Sequence, residues 1–162
     1  MKNINHKNCL IFLLFASIIA LSSAYIAEYV FGIEPCVLCF YQRKPFWLII
    51  AISTSILTFL NNSKNQKFGL ILCIFLLAIN CGIALYHSAV EKKIVGGPTT
   101  CSAENLNKID DVESLKTALI EAKSVRCDEP AFFFLKLTMA NWNFVYCLIL
   151  LIISSRMLIK KK

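Results

Sequence analysis

Residues 10–31 read LIFLLFASIIALSSAYIAEYVF, an apolar run that decides the fold. A helix rises about 1.5 Å per residue, so roughly 20 apolar residues cross a hydrocarbon core of about 30 Å. Further apolar stretches lie at residues 46–60, 68–87 and 143–159, and 57% of the 162 residues are hydrophobic. Soluble domains reach only about 45–50%. The sequence therefore predicts one all-α membrane domain, a four-helix transmembrane bundle.

The segments between the spans are predicted to be two outer loops, residues 32–45 and 88–142, and one short polar connector. Because a helix's first turn needs no partner for the missing N–H of proline, Pro45 is expected in the first turn of the second span. A short amphipathic helix is expected in the long loop, because apolar residues recur there every three or four positions: Ile109, Val112, Leu115 and Leu119.

The end of the long loop is rich in aromatic residues. Residues 131–142 contain three consecutive phenylalanines, Lys136 and Trp142, a composition suited to a segment at the lipid headgroup boundary. The alternative is that these residues begin the fourth span. At the headgroup boundary, the segment would hold Cys127, which precedes it, close to the membrane surface.

The distribution of charge predicts the orientation. One side of the predicted bundle holds eight of the seventeen basic residues and none of the ten acids. Clustered Lys and Arg mark the cytoplasmic side, so both termini are expected in the cytoplasm and both loops outside. Topology then explains the net charge of +7, and no nucleic-acid partner is predicted. The eight cytoplasmic charges are Lys2, Lys7, Lys64, Lys67, Arg156, Lys160, Lys161 and Lys162.

The amino-terminal stretch has a second interpretation. Lys2 and Lys7, an apolar run and Ser22-Ser23-Ala24 together have the pattern of a secretory signal peptide. The apolar run continues beyond that point to Phe31, further than a signal core requires. We therefore expect a retained helix, and cleavage would leave the orientation of the later spans unchanged.

The eight cysteines divide by position. Four lie in or beside apolar spans, where a free cysteine behaves as a small hydrophobic residue; the other four lie in the outer loops, where an oxidising exterior permits disulfides. Two dithiol couples beside a bilayer indicate electron transfer between thiols and an acceptor dissolved in the membrane. The membrane group is Cys9, Cys73, Cys81 and Cys147, and the outer group is Cys36, Cys39, Cys101 and Cys127.

The outer cysteines also allow structural interpretations. A Cys101–Cys127 disulfide that only closed the loop would contribute about 3–4 kcal/mol. With a potential below about −300 mV, it would face an uphill step of about 8 kcal/mol in oxidising a partner near −120 mV. A redox role therefore requires a strained or exposed loop disulfide, or a strongly favourable later step that removes the electrons from the loop cysteines.

Two charged or titratable residues are candidates for the site. Arg43 follows the CxxC and is placed to stabilise a Cys39 thiolate or an anionic acceptor, although it is also suited to be an interfacial anchor. His87, at the outer end of the third span, is a possible metal ligand or a simple interfacial residue. Only Cys36 and Cys39 have the spacing of a zinc site, so no metal is predicted.

The stretch Cys36-Val37-Leu38-Cys39-Phe40-Tyr41-Gln42-Arg43, with Cys101 and Cys127-Asp128-Glu129-Pro130 further on, resembles the DsbB disulfide-bond formation proteins of bacterial inner membranes. The resemblance covers nearly the whole chain. It implies a quinone-linked thiol oxidase that reoxidises a periplasmic DsbA-like dithiol oxidase and passes electrons to ubiquinone or menaquinone. Both outer loops would then be periplasmic.

The resemblance also assigns roles to single residues. Cys101 would accept the partner's thiolate in a mixed disulfide, with Cys127 as its loop partner. Cys36 would exchange with the loop pair, and Cys39 would lie against the quinone, near Arg43 and His87. Two positions depart from the family pattern: Gln42 stands where many relatives have glutamate, and Lys136 stands where glycine is common.

Two other functions stay open from the sequence. One is a thiol oxidase dedicated to a specialised substrate, as in DsbI-like relatives. The other is a non-enzymatic metal-handling membrane protein whose outer cysteines are ligands or staples. Glu28, the acid inside the first apparent span, is expected to extend to the interface.

Overall fold

The computed structural model describes residues 6–60, 62–98, 127, 132–134 and 137–159. Four long helices make up most of this part of the chain, and two short strands pair in front of the last helix. The elements are α1 (His6–Tyr29), α2 (Val37–Thr58), α3 (Ser63–Glu91), β1 (Phe133–Phe134), β2 (Leu137–Thr138) and α4 (Met139–Ile159). The expected all-α bundle of four helices is confirmed.

Helix α3 packs against both α2 and α4, and α1 packs mainly against α2. Tyr146 Oη on α4 donates a hydrogen bond to the carbonyl of Ala16 on α1, at 2.9 Å, which closes the bundle. Gly69 permits a close approach of α3 to α2, because a Cβ at this position would overlap the side chain of Ile56. Small residues serve this purpose between membrane helices, where backbones pack closely.

The bundle buries one apolar core and leaves large apolar side chains facing outward. The core includes Leu13, Ile49 and Leu77, each 0% exposed, whereas Phe15 and Phe75 on the outer faces are 60% and 62% exposed. Apolar residues on both faces are expected of a helix that packs on protein on one side and on lipid on the other. The exterior of this bundle therefore suits a bilayer.

The four cysteines of the membrane group pack as the sequence predicts. Cys9, Cys73 and Cys147 belong to the core, Cys81 packs against it, and all four are free thiols. They contribute to packing as small apolar side chains.

Helices α1, α3 and α4 are each long and apolar enough to cross a membrane. Helix α2 is not among the spans identified by length and composition in the described part of the chain. Its first half carries Arg43 and Lys44, which lower its mean hydropathy.

Helix α2 also begins earlier than expected. It starts at Val37, so residues 37–45, assigned from the sequence to an outer loop, are helical. Pro45 lies inside the helix rather than in its first turn, and that expectation was wrong. The reason is that Cys36 caps the helix, which moves its start to the CxxC. Proline is tolerated within membrane helices because neighbouring groups satisfy the freed carbonyl.

The segment before α4 forms an antiparallel pair of strands, with Phe133 opposite Thr138. Helix α4 begins at Met139, so the last residues of the aromatic segment belong to this helix. The amphipathic helix expected between Cys101 and Cys127 lies outside the described residues.

Candidate dithiol active site

The CxxC lies at the amino terminus of α2. Cys36 is the N-cap residue, in an extended conformation, and its Sγ accepts a hydrogen bond from the backbone N–H of Cys39 at 3.3 Å. The two Sγ atoms are 3.2 Å apart, and both residues are free thiols. The positive end of the helix dipole and this N–H both favour a negative charge on Cys36.

His87 on α3 completes the environment of Cys36. The ring is buried, and its Nε2 lies 3.5 Å from Cys36 Sγ. The hydrogen bond from Cys39 is the main reason that the pKa of Cys36 lies well below its usual range; burial opposes the shift and His87 adds to it. The same hydrogen bond leaves the proton of the pair on Cys39. The reduced site thus holds a Cys36 thiolate beside a Cys39 thiol.

Two amide side chains fix the His87 ring. Gln42 Nε2 lies 2.9 Å from His87 Nδ1, and Asn143 Nδ2 on α4 donates to Gln42 Oε1 at 2.7 Å. With Gln42 donating, Nδ1 of a neutral ring accepts and Nε2 carries the proton that faces Cys36. The three residues link α2, α3 and α4 at the site.

A largely buried carboxylate lies near the same ring nitrogen that faces Cys36. Glu91, one helical turn beyond His87, places Oε1 3.7 Å from His87 Nε2. Its Oε2 accepts a hydrogen bond of 2.6 Å from Thr138 Oγ1 on β2. Thr138 therefore ties the segment that follows Cys127 to the end of α3.

Arg43 points toward α1, not toward the sulfurs. Its guanidinium forms an ion pair with Glu28 and donates to the carbonyl of Ala24 at 3.4 Å. It also lies over the ring of Tyr25, 4.9 Å from the centroid. Glu28 is thus the ion-pair partner of Arg43, and its extension to the interface stays a prediction.

These groups line one cavity of about 460 Å³. Its walls come from α1, α2, α3, α4 and the loop segments beside them. They are mainly apolar, with a few polar and charged side chains among them. Among the lining residues are Cys36, Cys39, Arg43, Phe46, His87, Met139, Trp142 and Tyr146.

Cys127 lies beside the CxxC. It is 1% exposed and packs in a small cluster with Cys36, Leu38 and Val90, with Cys39 at the edge. Cys127 is disulfide-bonded. The other described cysteines are free, so its partner lies outside the described residues, as does Cys101.

The comparison with protein families agrees with this geometry. The family model described as Disulfide bond formation protein DsbB matches residues 6–157, nearly the whole chain and all the residues of the site. The chain belongs to the DsbB family. The resemblance inferred from the cysteine pattern is confirmed, and the protein is a disulfide bond formation protein of the helical membrane type.

Named relatives of this DsbB-family chain cover most of its length. Uncharacterized protein RP370 of Rickettsia prowazekii is 35% identical over 152 residues, which is 93% of this chain and 87% of the relative. Disulfide bond formation protein B of Acinetobacter baumannii is 29% identical over 146 residues, 87% and 84% of the two chains. The protein of that name from Marinobacter nauticus is 28% identical over 162 residues, 94% and 90%. No solved structure matches the chain significantly.

The structure of this DsbB-family protein adds residues that sequence reasoning missed. Glu91 and Asn143 were not singled out, and Gln42 was noted only as a departure from the family pattern. The available signals were an amide one turn after Cys39 and a carboxylate one turn after His87. Neither signal was sufficient, because Gln42 contacts residues of α3 and α4 and Glu91 contacts Thr138 of β2. His87 was expected at an interface or near the quinone, and its nearest sulfur is that of Cys36.

Proposed function

We propose that this protein reoxidises a DsbA-like periplasmic dithiol oxidase and transfers the electrons to ubiquinone or menaquinone. The observation that carries the proposal is the position of Cys36 and Cys39, a reduced dithiol in the wall of an apolar cavity. Sulfur chemistry and a site for a lipid-soluble molecule therefore share one place in the fold.

The cavity suits a quinone in size and character. Its volume of about 460 Å³ falls within the range of about 300–1,000 Å³ typical of small-molecule sites. Apolar walls accommodate a ring and the start of an isoprenoid tail, while the guanidinium of Arg43, which has five N–H donors, offers a donor to a carbonyl oxygen. When bound there, a quinone supplies an acceptor for two electrons and two protons.

The packing of Cys127 against Cys36 supports a sulfur relay. In the proposed cycle the partner's thiolate attacks Cys101, and Cys127 leaves as a thiolate. The partner's second thiol then resolves the mixed disulfide, which leaves the loop pair reduced. A loop thiolate next attacks Cys36 of the Cys36–Cys39 disulfide, and Cys39 leaves with the electron pair. A second exchange closes the loop disulfide again.

The environment of Cys36 favours oxidation of the reduced loop cysteines by the Cys36–Cys39 disulfide, which is the favourable later step that a redox-active loop disulfide requires. A dithiol couple becomes a stronger oxidant when its reduced form is stabilised. The hydrogen bond with Cys39 and the contact with His87 stabilise the reduced pair as a thiolate and a thiol. Oxidation of this pair to a disulfide releases two electrons and the proton of Cys39. Together with the proton that Cys36 lost when it ionised, these match the two electrons and two protons that a quinone accepts.

The charge asymmetry supports the orientation that this cycle needs. The proposed arrangement has both termini in the cytoplasm of a bacterial inner membrane and the CxxC end of α2 at the periplasmic edge. Labelling Cys36 and Cys39 in intact cells with a membrane-impermeant thiol reagent tests it. Labelling that occurs only after the cytoplasm is opened would contradict the orientation.

Turnover of the purified full-length protein tests the function. With a short-chain ubiquinone or menaquinone and a reduced DsbA-like protein, Cys39→Ala and Cys101→Ala should abolish oxidation of the partner. Cys81→Ala, a change at a free cysteine beside the core, is the matched control and should retain activity. Undiminished turnover in either of the first two variants would contradict the relay.

The partner can be identified by trapping. Replacing Cys127 with alanine leaves Cys101 without its loop partner, so a mixed disulfide with the physiological substrate should accumulate. Mass spectrometry of the trapped species names the protein. A captured protein that lacks a thioredoxin-like CxxC would favour a dedicated substrate instead.

A further inference from the structure

We infer that the reduced site also binds a soft d10 cation, of which Zn²⁺ is the test case, through Cys36, Cys39 and His87. The three donor atoms are two Sγ atoms and one Nε2, and all lie within 4.8 Å of one another. Two thiolates and an imidazole are the ligand types that zinc prefers in proteins. The oxidised site offers no thiolate, so the cation site exists only in the dithiol state.

Two of the three separations between donor atoms can be compared with those of a tetrahedral centre, and the third is within 4.8 Å. With Zn–S of about 2.3 Å and Zn–N of about 2.0–2.1 Å, the ligand atoms are separated by about 3.6 Å for S and N and about 3.8 Å for two sulfurs. Cys36 Sγ and His87 Nε2 are 3.5 Å apart, and the two sulfurs are 3.2 Å apart. The sulfurs need to separate by only roughly 0.6 Å, which a small rotation of either side chain provides.

The amide side chains around His87 are compatible with the ring tautomer that a bound cation requires. A cation on Nε2 leaves the ring proton on Nδ1, which needs an acceptor. Gln42, 2.9 Å away, presents its oxygen when its amide turns over, and Asn143 can turn with it. Cys147 Sγ, near the Asn143 amide, then accepts from the turned amide. The hydrogen-bond chain therefore stays satisfied in either direction.

Charge balance favours occupation of the buried site. Each thiol that becomes a ligand releases one proton, so Zn²⁺ with two thiolates is neutral, and no oxidant or reductant takes part. Glu91 Oε1, 3.7 Å from His87 Nε2, adds a carboxylate at the edge of the site. A neutral cluster avoids the cost of placing an uncompensated charge in a low-dielectric interior. The fourth position is open to a water molecule, which keeps the cluster neutral.

Occupation has a consequence that rests on the proposed function. A cation held by both sulfurs keeps Cys36 and Cys39 from forming a disulfide, so it would block reoxidation by quinone. Binding itself requires neither quinone nor partner. Failure of the binding test and failure of the proposed function are therefore separate results.

Zinc titration of the full-length protein tests the inference. In a Cys101→Ser, Cys127→Ser background, which removes the loop thiols, reduced protein should bind one Zn²⁺ in competition with a chromophoric chelator. The same protein with Cys36 and Cys39 oxidised to a disulfide should not bind. Both arms use the same sequence, so a difference between them reports the redox state of Cys36 and Cys39 and not the effect of a substitution.

Variants then locate the ligands. Gln42→Ala, which removes the group that orients the ring, should weaken Zn²⁺ binding by about 10–100-fold. His87→Gln should weaken it more, while Cys81→Ala should leave it unchanged. Cd²⁺ should give the ultraviolet sulfur-to-metal charge-transfer band only in the reduced protein. Equal binding by oxidised and reduced protein, or unchanged affinity in His87→Gln, would overturn the assignment.

Discussion

The rate at which Cys36 is alkylated should change little between about pH 9 and about pH 6. Its pKa lies well below the ordinary 9.0, because Cys39 donates a hydrogen bond to it and His87 adds to the effect, against the opposing effect of burial. Only the thiolate reacts. A group with a lowered pKa stays ionised above that pKa, so reactivity should be lost only at more acidic pH.

The size of the effect follows from the ionised fraction. A thiol with a pKa of 9.0 is half ionised at pH 9 and about 0.1% ionised at pH 6, so its rate would fall about 500-fold. Cys39→Ala removes the main cause of the lowered pKa. In this variant the alkylation rate of Cys36 should therefore fall between about pH 9 and about pH 6 by most of the factor of about 500. Cys39→Ser keeps an O–H donor in nearly the same place and should retain a much flatter profile.

The assay uses the reduced full-length protein, brief treatment with iodoacetamide, and peptide mass spectrometry to count modified Cys36. The side chain is 5% exposed, so its absolute rates will be low. The ratio of rates at two pH values cancels this restriction, since access is the same at both. A fall of more than about 100-fold in the unsubstituted protein, or identical profiles for the Ala and Ser variants, would refute the thiolate assignment.

Three further predictions follow from single contacts. Arg43→Lys keeps the charge but loses the guanidinium contacts with α1, and we expect the KM for quinone to rise about 10-fold, or about 1.4 kcal/mol; an unchanged KM in quinone titrations would count against a role for Arg43. Thr138→Val removes the hydroxyl that donates to Glu91 and should lower the free energy of unfolding in detergent by about 1–3 kcal/mol; a loss below about 0.5 kcal/mol would contradict this. Leu77→Ala, at a residue 0% exposed, should cost about 2–5 kcal/mol, whereas Leu85→Ala, 57% exposed, should cost less than about 0.5 kcal/mol. Equal losses in denaturant titrations would show that α3 packs differently.

The sequence predicted the helical elements well where the signal is local. The apolar stretches at residues 10–31, 68–87 and 143–159 correspond to α1, α3 and α4, because hydrophobicity over a membrane-length window is a property of consecutive residues. It failed at the start of α2. A charged pair and a proline obscured the helical pattern, whereas a cysteine cap fixed the boundary.

The contacts of the site also include some that the sequence predicts and some that it does not. The CxxC spacing alone placed Cys36 and Cys39 together, since residues three positions apart in the chain stay close in space. The approach of His87 to Cys36 joins positions 51 apart in the chain, and that of Asn143 to Gln42 joins positions 101 apart. No local pattern encodes these contacts.

The sequence by itself determined the membrane character and the family, and it singled out the four cysteines for which a redox role is proposed. Each depends on residue type and on short spacing, both of which can be read along the chain. Only the tertiary structure decided which cysteine carries the negative charge, that Arg43 pairs with Glu28, and that Glu91 borders the dithiol. These features depend on the rotation and depth of each helix in the bundle, which packing across the whole core sets.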